Sequence, residues 1–257
     1  MTKKLLIVNA DDFGMTVGVS QGILKAMQNG LVTETCAIVN SPYFEASVKL
    51  AKEAGLTKMG VHLNVTVFTS VSQDARVLSL TEGDGQWGKL VLKRFERADE
   101  KFLEALKIEF EAQIAHFLKS GLILTHLNTH HGLGMQSKAV LDILEALALT
   151  NGVPLRREDT LVSVTNEALN PTKSTELSWI LDSSLSHEDI LKKLNSLSNK
   201  ANSIELCCHP GLVDDSLKDF SSMLSERERD LALLTNSEFK LAVKERFELI
   251  DFGGLIR

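Results

Sequence analysis

Short apolar runs alternate with longer amphipathic ones along this chain. Leu5-Leu6-Ile7-Val8 has the length and continuity of a strand buried on both faces. Similar runs predict strands over 35–39, 59–65, 123–128, 153–156, 179–181, 204–208 and 247–252. Between them, helices are expected over 21–27, closed by Gly30, over 44–54, ended by Gly55, and over 139–149. A longer helix over 100–118 places Phe102, Leu106, Phe110, Ile114 and Phe117 on one face. Ser186 with Asp189, and Ser225 with Glu228, have the spacing of capping boxes. Strand–helix alternation with near-continuous apolar strands predicts a parallel sheet covered by helices. The number of units and the lack of a Gly-rich phosphate fingerprint after the first strand favour a distorted (β/α) barrel over an open Rossmann-type sheet. We expect one domain over 1–257. The segment 70–99, with Gly83, Gly85, Gly88 and Trp87, breaks the rhythm and is expected to be a lid over the site or a surface insertion.

In such a barrel chemistry sits at the carboxyl ends of the strands. Asp11 and Asp12 follow the first strand, Asn40 the second, and His62 and Asn64 end the third. His126, Asn128, His130 and His131 end the next, Arg156 ends the 153–156 run, and His209 ends the Cys207-Cys208 strand. Five of the seven histidines therefore fall at strand ends, while His116 and His187 lie on predicted helices. The strand period of two puts His126, Asn128 and His130 on one face, and likewise His62 and Asn64. Asp11-Asp12 reads either as a turn with a helix cap or as a carboxylate pair relieved by a cation. One Asp with two His would form a mixed oxygen–nitrogen site that leaves positions open for water and substrate. Asn40, Asn64, His131 and Arg156 are candidates for holding the substrate.

Bulk properties narrow the class. There are 257 residues, 44% hydrophobic, with 28 basic against 34 acidic side chains for a net charge of −6, which excludes an ordinary nucleic-acid binder. No apolar stretch approaches a membrane span, and the run after Lys3-Lys4 is too short for a signal peptide. Three cysteines, Cys36, Cys207 and Cys208, make a poor disulfide framework and read as reduced, buried thiols. The expected location is cytoplasmic.

Four segments together resemble the YdjC family of carbohydrate deacetylases: Val8-Asn9-Ala10-Asp11-Asp12-Phe13-Gly14, Gly60-Val61-His62-Leu63-Asn64, Thr125-His126-Leu127-Asn128-Thr129-His130-His131 and Cys208-His209-Pro210-Gly211. The resemblance runs from Leu5 to about Phe252. It implies a distorted (β/α) barrel similar to polysaccharide deacetylases, with a divalent ion, magnesium or zinc, on Asp12, His62 and His130. It implies Asp11 as general base, His209 as general acid and Arg156 as an arginine near the site. The implied substrate is a small N-acetylated (chito)oligosaccharide, with 6-phosphorylated disaccharides among the candidates, and barrels of this sort often pair into dimers. Asn128 stands where family members often have Asp, and Gly132 where they often continue a run of histidines. Two rival readings are a phospho-disaccharide glycosidase and a non-catalytic sugar-binding regulator.

Overall fold

The computed structural model describes residues 3–158 and 174–256. Its strands are β1 (Lys4–Phe13), β2 (Glu34–Ala37), β3 (Lys58–Leu63), β4 (Ile123–Thr129), β5 (Leu177–Ile180), β6 (Ser203–Cys208) and β7 (Phe247–Leu249). Among the described residues these strands pair only in parallel, in the order β4-β3-β2-β1-β6-β5. The start of β1 also pairs with β7, on the side where its later half pairs with β2. The apolar runs explain this: Leu6, Ile7 and Val8 are fully buried, as a strand covered on both faces requires.

The sheet is curled. In a flat sheet β4 would lie roughly 14 Å from β1, three strand spacings away. Yet His126 Nε2 on β4 is 3.2 Å from Asn9 Nδ2 on β1. The stacking of His126 on Phe252, with centroids 4.0 Å apart, fills the same interior. Gly60 makes this possible, because a Cβ there would lie 2.3 Å from the His126 ring. The expected strand over 153–156 contracts to a single bridge, Leu127 to Leu155, beside β4. Among the described residues no strand joins Leu155 to β5, so the barrel is distorted and open there.

Helices cover the outside: α1 (Val17–Asn29), α2 (Phe44–Glu53), α3 (Ala75–Leu78), α4 (Lys89–Phe95), α5 (Glu100–Lys119), α6 (Lys138–Asn151), α7 (His187–Ser198), α8 (Ser225–Thr235) and α9 (Ser237–Arg246). The face predicted for α5 is the buried one, and Phe102, Leu106, Phe110, Ile114 and Phe117 all lie in the core. Each such side chain contributes about 1.5–3 kcal/mol by leaving water. The Ser186 cap forms as expected, its Oγ accepting from Asp189 N at 3.1 Å. Ser225 does not cap, because α8 begins at Ser225 itself and its hydroxyl turns to Glu226.

Segment 70–99 is not a loose lid. It folds into α3 and α4, buries Val77, Leu80, Trp87, Val91 and Phe95, and is fastened to α5. The buried Glu109 carboxylate on α5 accepts the backbone N–H groups of Val71 and Ser72 at 3.0 and 2.9 Å.

Candidate active site

The carboxyl ends of the strands surround a cavity of about 550 Å³ whose wall includes Asp11, Asp12, His62, His130, His131, Arg156, Cys207, His209 and Arg227. Adjacent strand residues normally face opposite sides. Here β1 gains one residue against β2 between Ala10 and Phe13, and Asp12 takes φ 74°. That bulge with a left-handed residue turns both carboxylates to the cavity. A left-handed non-glycine is costly and persists where surrounding contacts dictate it.

Those contacts are ionic. Arg156 grips Asp11 with two bonds of 2.7 Å, and it also reaches Glu205 on β6 at 2.6 and 2.8 Å. The Cys36 and Cys207 thiols add donors to the two Asp11 oxygens at 3.2 and 3.1 Å. Burial alone would raise the Asp11 pKa, but the Arg156 charge outweighs it and holds the carboxyl far below the usual range. Burial likewise opposes ionisation of Asp12. The Arg227 guanidinium, 2.6 Å from Asp12 Oδ2, and the nearby His130 reverse the sign. Both aspartates are therefore carboxylates.

Asp12 Oδ1 is buried and no N–H is aligned to it. It faces His130 Nδ1 at 3.1 Å and His62 Nε2 at 3.4 Å, and these nitrogens are 3.3 Å apart. Three ligand atoms around one tetrahedral ion, each about 2.0–2.2 Å from it, would be about 3.4 Å from one another. The orphaned oxygen and its spacing fit a divalent cation. The side chains behind the trio set its orientation. His62 Nδ1 lies 2.7 Å from Asn128 Oδ1, beside it on β4. Reversed, the Asn128 amide would instead point its oxygen at Arg156, 3.0 and 3.2 Å from the two Nη atoms. The turn that carries His130 is shaped by buried Glu158, which accepts from Thr129 N, Thr129 Oγ1 and Gly134 N.

His209 Nε2 stands 4.0 Å from Asp11 Oδ2 on the cavity wall. Burial lowers its pKa, against the opposing pull of Asp12 and Asp11. His131, in the left-handed region at φ 61°, packs its ring against His130 at a 33° tilt with centroids 3.9 Å apart and meets Thr66 Oγ1 at 3.0 Å. Burial, followed by the neighbouring His130, brings its pKa down to about 4, so its ring is neutral.

Not every expected residue reaches the cavity. Asn40 and Asn64 are absent from its wall, because their amides hold each other and the carbonyls of Val67 and Thr69. His126 shares a strand with the site but lies beneath it as a neutral interior ring. Among the described residues, none of segment 70–99 lines the cavity.

A family model described as YdjC-like protein matches residues 5–245. The chain belongs to the YdjC-like family. The YdjC-like chain is 31% identical over 251 residues to a protein of Clostridium beijerinckii named carbohydrate deacetylase, covering 97% of this chain and 99% of that one. A Vibrio cholerae protein of the same name is 32% identical, covering 98% and 96%. A crystal structure from Enterococcus faecalis, proposed to be a cellobiose-phosphate cleavage protein, superposes with TM-score 0.85 at 31% identity, covering 99% of both chains.

Three further residues of this YdjC-like chain stand at the site without a motif to mark them. Glu205 is a lone acid within the apolar run Ile204 to Cys208, and a charge in a fully buried strand demands a partner. That demand was a usable signal. Arg227 sits in Ser-Glu-Arg-Glu-Arg-Asp, which looks like a solvated helix face, yet it is only 1% exposed. Cys207 is a buried free thiol, as expected, and it also touches the Asp11 carboxylate.

Proposed function

We propose that this YdjC-like protein is a divalent-metal-dependent deacetylase that hydrolyses the N-acetyl group of a small N-acetylated (chito)oligosaccharide and releases acetate. The observation that carries this reading is the orphaned Asp12 oxygen facing two histidine nitrogens, with an ionised Asp11 and His209 on the same wall. When bound, the ion supplies Lewis-acid chemistry, acidifying a water and polarising a carbonyl. Asp12, His62 and His130 would hold it. The names of the Clostridium and Vibrio relatives support a sugar as substrate.

The chain's own residues handle the protons. Asp11 accepts a proton from the attacking water, aimed by the two-point grip of Arg156. The same grip makes Asp11 a poor resting place for that proton. His209 Nε2, 4.0 Å away, is placed to deliver a proton to the departing amine. Met15, Met135, Ile180, Phe220 and Met223 give the cavity an apolar side against which a sugar ring can lie.

The glycosidase reading fits less well. It requires one carboxyl kept protonated and a second about 5–9.5 Å away across the glycosidic bond. Asp11 and Asp12 are neighbours on one bulge, and each is held ionised by its own arginine. The test is acetate release from di-N-acetylchitobiose and from its 6-phosphate, by wild type and Asp11→Asn. Acetate from wild type alone supports the reading and shows which form is preferred. Cleavage of the glycosidic bond without acetate would overturn it.

A further inference from the structure

The cavity wall carries a second set of donors beside the Asp12 trio. Asp11, Cys207 and His209 offer one oxygen, one sulfur and one nitrogen, all within 4.8 Å of one another. We propose that these three residues form a second, thiolate-containing cation site that takes soft or borderline ions such as zinc or cadmium, and that filling it inhibits the enzyme. The binding claim stands on this geometry alone, whereas the inhibition rests on the deacetylase reading above.

The ion's place is already marked by a proton. Asp11 Oδ2 accepts from Arg156 Nη1 at 2.7 Å and from the Cys207 thiol at 3.1 Å, so an ion replacing the thiol hydrogen leaves the arginine bond intact. Tetrahedral zinc, about 2.3 Å from sulfur and about 2.1 Å from oxygen, holds those ligands about 3.6 Å apart. Cys207 and Asp11 must separate by about half an ångström. A nitrogen and an oxygen on the same ion are about 3.4 Å apart. His209 Nε2, now 4.0 Å from Asp11 Oδ2, must close by a similar amount. It is free to do so, since among the described residues only its backbone N–H is tied, to Asp230 Oδ2 at 2.8 Å. Binding releases water from the ion, forms the sulfur–metal bond and sends the Cys207 proton to solvent; no electron changes hands.

The two sites sort ions by softness. Asp12, His62 and His130 include no sulfur, while a thiolate selects against magnesium. Cys36 is the weaker alternative: its sulfur also touches Asp11, at 3.2 Å, but it does not line the cavity, and its third partner would be His62, which belongs to the first site. An ion on Asp11 and His209 removes both proton-handling groups at once. Excess zinc should then slow turnover by on the order of 10²-fold, the usual contribution of general acid–base catalysis.

Cobalt(II) is the probe, titrated anaerobically into reduced, metal-stripped protein while the near-ultraviolet thiolate-to-cobalt charge-transfer band is followed. Wild type should bind two equivalents, with the band appearing as the thiolate site fills. Cys207→Ser should lose the band but still bind one equivalent, which also reports that it is folded. Cys36→Ser and Asp12→Ala should keep the band. The Asp12→Ala result separates failure of this site from failure of the Asp12 site. Absence of a thiolate band in wild type, or its survival in Cys207→Ser, overturns the proposal.

Discussion

Asn128→Asp should tighten metal binding. His62 can offer Nε2 as a ligand only when its proton is on Nδ1, and that proton needs an acceptor. Asn128 Oδ1 supplies it at 2.7 Å, but the same oxygen, turned over, would accept from Arg156 at 3.0 and 3.2 Å. One amide cannot do both. Loading the site therefore requires the amide to give up its bonds to a buried guanidinium. A hydrogen bond to a charged group is worth about 1.5–3 kcal/mol, which corresponds to about 10–150-fold in affinity. A carboxylate has an oxygen for each partner and removes the competition. Asn128→Asp should thus lower the dissociation constant of the Asp12 site for zinc by about 10–100-fold, the range over which such outer partners act. Competition with a chromophoric chelator at neutral pH measures it. Equal or weaker binding by a folded Asn128→Asp protein would refute the reasoning.

Three further outcomes follow from particular contacts. Burial, reinforced by the Asp251 charge, raises Glu34 to about 8 from an ordinary 4.5, so between those values the folded chain holds a proton that the unfolded chain has released. Stability should fall by about 1.4 kcal/mol per pH unit across that window, reaching about 3 kcal/mol by pH 7, and Glu34→Gln should flatten the slope in pH-dependent denaturation. Gly60→Ala drives a methyl to within 2.3 Å of the His126 ring and should destabilise by about 1–3 kcal/mol, read as a lower urea midpoint. Arg156→Lys replaces a two-point grip on Asp11 with a point charge; kcat should drop by on the order of 10²-fold while metal content holds, and an unchanged kcat would remove Arg156 from the account.

Much of this was legible because strand ends are few and histidines are conspicuous. The apolar runs located β1, β3, β4 and β6 and thereby Asp11, Asp12, His62, His130 and His209. What could not be read was set by tertiary geometry. A period of two would separate Asp11 from Asp12, and only the bulge and the left-handed Asp12 bring them to one cavity. The same period grouped His126 with His130, although β4 ends between them and His130 belongs to the next turn. Arg227 is hidden because charges on a helix signal solvent until another element covers them. The glycines of segment 70–99 interrupt the periodicity and suggest a lid, but the contacts that fasten it come from Glu109, a buried acid beside buried Gln113 on the inward face of α5.

The central claim is that Asp12, His62 and His130 hold a divalent ion on which acetate release depends. It is tested most directly by measuring metal content and acetate release together, in wild type stripped with chelator, in the same protein given back magnesium or zinc, and in Asp12→Ala. Stripping should abolish release, returning one equivalent should restore it, and Asp12→Ala should neither retain the ion nor release acetate. A metal-free Asp12→Ala protein with undiminished activity would contradict it.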